Sequence, residues 1–147
     1  MFMIFDRTTL FSDAQAVTVT AASTNIIDLG AVGTPMYSTQ PLVRDVGKGK
    51  GVPLLIQVVD AFAAAGAATL QVQLRVDADP AMPSPKIVWN SPIVALSDLK
   101  PGYQFNIDYL PKGLDERYAQ INYIVATGPM TSGKVTSGVT MGNQTDA

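Results

Sequence analysis

The sequence predicts an all-β chain, an antiparallel jelly-roll-like β-sandwich of about eight strands with an extended N-terminal segment and long loops, and three observations predict it. Apolar and polar residues alternate with period two in several runs, and Gly- and Pro-rich punctuation recurs between those runs. No stretch of about 10–15 residues carries the 3.6-residue period that βαβ units would need. Length and composition agree with one domain over 1–147: the chain can bury a real core. With 47% hydrophobic and 15% charged residues it also sits away from the disordered class.

In chain order, Met1-Phe2-Met3-Ile4-Phe5 is apolar without a positive flank, and Asp6 and Arg7 cut it short of a secretory core. It is expected to be an extended segment and not a signal peptide. Val17 and Val19 alternate with Thr18 and Thr20 as a strand would, and 26–29 is a shorter candidate. Residues 30–52 have little periodicity and many Gly, Pro, Ser and Thr, an unusual length for a passive connection, so the segment is expected to reach out to a partner. Residues 53–59 form an aliphatic run suited to a strand buried on both faces. The alanines of 60–68 favour helix, but Gly66 interrupts them and apolar residues fall on every side, so a loop is expected.

Leu70, Val72, Leu74 and Val76 against Thr69, Gln71, Gln73 and Arg75 make a half-buried strand. Residues 87–90 and 93–96 are short candidates. Tyr103, Phe105, Ile107 and Tyr109 alternate with Gln104, Asn106 and Asp108, as do Ala119, Ile121, Tyr123 and Val125 with Gln120 and Asn122. The Val- and Thr-rich 134–141 closes the set. No apolar run approaches the roughly 20 residues that cross a bilayer, and a soluble location is expected.

The chemistry available is narrow. Histidine and cysteine are absent, which removes the commonest general bases, thiol nucleophiles, zinc–thiolate sites and disulfides together. Glu116 is the single glutamate, and the aspartates sit mostly beside turn residues, where capping accounts for them better than catalysis. Asp77 and Asp79 could point the same way and hold a cation such as Ca²⁺, but a solvated strand end entering a Pro-rich loop explains them better, since no third ligand is near. Gly47-Lys48-Gly49-Lys50-Gly51 lacks the Ser or Thr and the helix of a phosphate loop, and is expected to be a basic surface turn that could meet acidic groups on a partner.

Glu116-Arg117-Tyr118 reads as an ion pair and a strand-edge tyrosine, and Trp89 as a core or rim aromatic rather than a sugar platform. Net charge is −2 with the ten Lys and Arg scattered, so nucleic acid is not an expected partner. Neither are a membrane, a small-molecule substrate or any cofactor or metal, and an enzyme is not expected.

Several strings carry a resemblance. Leu10-Phe11-Ser12-Asp13-Ala14-Gln15-Ala16 and Ser23-Thr24-Asn25-Ile26-Ile27-Asp28-Leu29-Gly30 are its most specific part. Ile4-Phe5-Asp6, Arg44-Asp45-Val46-Gly47, Pro53-Leu54-Leu55-Ile56-Gln57-Val58, Leu110-Pro111 and Glu116-Arg117-Tyr118 extend it over nearly the whole chain. With these the chain resembles the capsid cement, or decoration, proteins of short-tailed double-stranded DNA phages, the group that includes the Bordetella phage cement protein. The resemblance implies a jelly roll, made in the host cytoplasm, that pairs as a homodimer on the outer capsid surface and bridges major capsid protein subunits. It carries no catalytic residues. Phe2, Ile4, Phe5, Arg44, Lys48 and Lys50 are the candidate partner contacts. The alternative is a carbohydrate- or receptor-binding β-sandwich of the virion.

Overall fold

The computed structural model describes residues 5–46 and 49–141. Nine strands, all paired antiparallel, and one 3₁₀ turn make up the regular structure of that region. They are β1 (Phe5–Ala16), β2 (Ala21–Ala22), β3 (Ile27–Asp28), β4 (Leu54–Ala63), β5 (Thr69–Asp77), β6 (Lys86–Asn90), β7 (Val94–Ala95), β8 (Tyr118–Ala126) and β9 (Ser132–Thr140). One sheet runs β1-β9-β4, and the other runs β2-β8-β5-β6, with β3 also on β8 and β7 also on β5.

A further segment completes the first sheet. Residues 102–110 lie antiparallel along β4 through bridges Pro53 to Tyr109 and Gln57 to Gln104. Backbone bonds link Leu54 N–H to Asp108 O, Phe105 N–H to Ile56 O and Val58 N–H to Tyr103 O at 2.9–3.0 Å. Counting β2 with β3 and β6 with β7 as one position each, and 102–110 as the sixth, the sheets read 1-8-3-6 and 2-7-4-5. Every position but the fifth, which pairs only with the fourth, thus neighbours one that is distant in the chain, which is the jelly-roll order of two interleaved Greek keys.

The burial of β5 alternates without a fault: Leu70, Val72, Leu74 and Val76 are fully buried while their neighbours are half-exposed. In β4, Leu54, Leu55 and Ile56 are consecutively buried, as an aliphatic run covered on both faces must be. All of these side chains except Leu55 join Phe11, Val17, Phe105, Leu114, Ile121 and Val135 in one cluster between the sheets.

Four expectations are corrected. The 17–20 run is not a strand: Val17 is buried at the end of β1, the chain bends, and Val19 is exposed. Phe5 is not part of a free extended segment but opens β1, where it pairs with Thr140. β1 escapes a period-two reading because register shifts break it between Phe5 and Leu10, Leu10 and Ser12, and Ser12 and Gln15, with Ala14 at a positive φ of 46°. Residues 60–63, expected in a loop, continue β4, since Asp60 and Ala63 pair with Lys134 and Ser132. The 103–109 strand is irregular: Ile107 N–H turns back to Phe105 O at 2.7 Å, so Leu110 rather than Tyr109 takes the next inward position and Tyr109 is exposed.

Candidate interaction surface

The segment from Gly30 to Val46 leaves β3 and crosses no sheet. Every residue from 31 to 43 is exposed, Tyr37 completely so and Val43 almost, with Met36, Leu42 and Val32 also presenting large apolar side chains to solvent. The segment is nevertheless built. Leu42 N–H donates to Gly33 O at 2.8 Å, drawing its two limbs together, and Ser38 N–H donates to Pro35 O at 3.1 Å, closing a turn at its tip. Tyr37, third residue of that turn, has φ +64°, a position where Gly or Asn is usual and a bulky side chain is strained.

Its root is a charged clamp. Arg44 donates from Nη2 to Gly30 O, tying the two ends of the arm. Arg117, just before β8, holds both oxygens of Asp28 on β3 at 2.8 and 3.0 Å and lies 5.1 Å from the ring centroid of Tyr118. Those bonds from Arg117, together with the N–H of Gly30, lower the Asp28 carboxyl to about 2. The expected ion pair of the Glu116-Arg117-Tyr118 string is therefore made by Arg117, and its acid is Asp28.

The predicted partner contacts fall on separate elements. Phe5 lies on β1, half-buried, and lines a shallow hollow with Asp6, Arg7, Thr9, Val139, Thr140 and Met141. Arg44 sits at the arm root beside a second open hollow that also touches Val32, Asp115, Glu116 and Arg117. Lys50 is exposed in the turn before β4. Phe2, Ile4 and Lys48 lie outside the described residues. Sequence reasoning placed a partner-directed segment here but missed Met36, Tyr37, Leu42 and Val43 as its apolar content. The available signal was the absence of any charge between Gly30 and Arg44.

Asp77 and Asp79 are occupied as turn residues. One Asp77 oxygen accepts from Asp79 N–H at 3.1 Å and the other from Ser84 N–H at 3.0 Å, while Asp79 accepts from Ala81 N–H at 2.8 Å. Trp89 is half-buried against the core from β6.

A family model, Bbp16, matches residues 11–139, from the middle of β1 to the penultimate residue of β9. The chain belongs to the Bbp16 family. That name points to a Bordetella phage protein, and the match takes in the whole arm with its clamp while leaving Phe5 outside. No curated protein matches the chain. Among the described residues, no helix is long and apolar enough to cross a membrane.

Proposed function

We propose that this Bbp16-family protein is a phage capsid cement protein, binding the outer surface of the assembled shell and bracing contacts between major capsid subunits. The observation that carries the reading is membership of a phage-associated family over nearly the full jelly roll. It agrees with the resemblance of Phe11 to Ala16 and Ser23 to Gly30 to the cement proteins. A two-sheet body locked by long-range pairing loses little freedom on docking, while the projecting arm supplies contact area. Neither activity requires a reactive group, and the chain's lack of His and Cys is no handicap to it.

Co-sedimentation tests this. Full-length protein mixed with empty shells of the same phage's major capsid protein should pellet to a saturating stoichiometry, and should remain in the supernatant with unassembled subunits. Failure to pellet with shells at micromolar concentration would remove the reading.

A further inference from the structure

We propose that the uncharged arm, 31–43, is the docking element of this protein and that it inserts its tip into a neutral, apolar hollow formed by subunits of the assembled shell. The inference rests on the cement reading and names the contact through which it acts. Three features of the arm converge. It holds Met36, Tyr37 and Val43 almost wholly in solvent, with Leu42 and Val32 about half exposed. Large apolar side chains exposed in this number on one segment are unfavourable in water and mark a surface that an assembled state covers. The arm is also shaped before it binds: the Leu42 to Gly33 and Ser38 to Pro35 bonds fix its limbs and tip, and Arg44 fixes its root. An ordered arm without core contacts carries the shape of its complement, and prepaid ordering favours docking. Finally, Tyr37 keeps a positive φ in a place where Gly would be relaxed, so the ring is retained against local strain.

Charge selects the occupant. Ala31 to Val43 contains no ionisable group except the phenol of Tyr37, so the arm has nothing to offer phosphates or an anionic lipid surface. A second copy of this chain is a poor receptor. The first hollow described on it is shallow and sets Phe5, Val139 and Met141 beside Asp6 and Arg7, the second is bordered by Arg44, Asp115, Glu116 and Arg117, and an apolar tip seated in either would strip water from charges without pairing them. A convex, neutral, apolar tip fits a concave neutral site on a different protein.

The test compares wild type with Tyr37→Gly combined with Met36→Ser. Gly at 37 suits the turn, and neither side chain touches the core, so the melting temperature should be unchanged or slightly higher. Affinity for empty shells, read by co-sedimentation, should fall about tenfold or more, the loss expected for removing two well-buried apolar anchors. A variant that binds within twofold of wild type would overturn the arm proposal and leave the cement reading intact. A wild type that ignores shells would remove both. Flotation of wild type with phosphatidylcholine vesicles, or a concentration-dependent dimer abolished by the same substitutions, would assign the arm to a lipid or to self-association and overturn the proposal.

Discussion

Tyr123 shows how a single residue locks the two sheets. It rises from β8 in one sheet, fully buried, and its hydroxyl lies 2.8 Å from both Ser12 Oγ on β1 and Ser137 Oγ on β9 in the other. Ser12 donates to Gln15 Oε1 at 2.7 Å, so it must accept from Tyr123, and Tyr123 in turn accepts from Ser137. Gln15 ends the chain by accepting from Thr24 N–H and donating to Ala22 O, both at 2.9 Å. Removing the hydroxyl takes from the buried Ser137 its acceptor and leaves the buried Ser12 with its bond to Gln15 alone. Tyr123→Phe should therefore cost about 1–3 kcal/mol in urea unfolding, whereas adding Ser12→Ala and Ser137→Ala should cost less than the sum of the single changes. Burial, opposed by the two serine bonds, pushes the phenol up from 10.0 to about 12. Because the folded value lies above the unfolded one, the contribution is complete below pH 10 and is lost as pH rises towards 12. That loss amounts to about 3 kcal/mol at most. Melting temperature should fall more steeply over that window for wild type than for Tyr123→Phe.

At the scale of the element, β9 is held by two neighbours, and its small residues let them close in. A Cβ on Gly138 would stand 3.0 Å from Leu10 Cα and 3.1 Å from Thr9 O, backbone atoms that cannot swing aside. Gly138→Ala should cost about 1–3 kcal/mol by overpacking. Gly66 meets nothing within 4 Å and has no left-handed φ, so Gly66→Ala should be neutral or stabilise by about 0.4–1 kcal/mol. Chemical denaturation of the two variants checks the contrast. The same distinction governs what was legible from sequence. β5 and β8 sit in a regular ladder, pairing from Thr69 with Ala126 to Asp77 with Tyr118, so packing imposed period two and the alternation could be read. β1 and 102–110 flank the other sheet with shifted registers, and a bulge breaks the period that would announce a strand. The end of β4 was missed for another reason: the alanines of 60–63 have helix propensity, but pairing with Lys134 and Ser132 overrides it. The arm was legible as a long aperiodic segment. Its apolar tip was not, because side chains of Met, Tyr and Leu in a sequence are ordinarily assigned to a core.

At the scale of the whole molecule, the proposed cement role would act through linkage between binding and assembly. If it binds the closed shell and not free subunits, it stabilises the shell by RT ln(1 + [L]/Kd) per site, about 2.7 kcal/mol at a hundredfold excess over Kd and about 1.4 kcal/mol for each further tenfold. The jelly roll matters here because its sheets pair strands far apart in the chain. β1 with β9 joins the two ends of the described region, and β4 with β9 and β5 with β8 tie its middle to its later part, so the arm root at Asp28 and Arg117 is anchored to the body as a whole. Strain applied to the arm is then shared by the sandwich and not absorbed by one hairpin. The measurable consequence is asymmetric. Raising the concentration of free protein should raise the disruption temperature of empty shells in proportion to its logarithm above Kd, while the melting temperature of the protein alone stays fixed. The arm variant Tyr37→Gly with Met36→Ser should shift that curve to higher concentration by its loss of affinity, with the same slope. A change of slope would mean that the number of linked sites had changed, and a concentration-independent shell temperature for wild type would contradict stabilisation by binding.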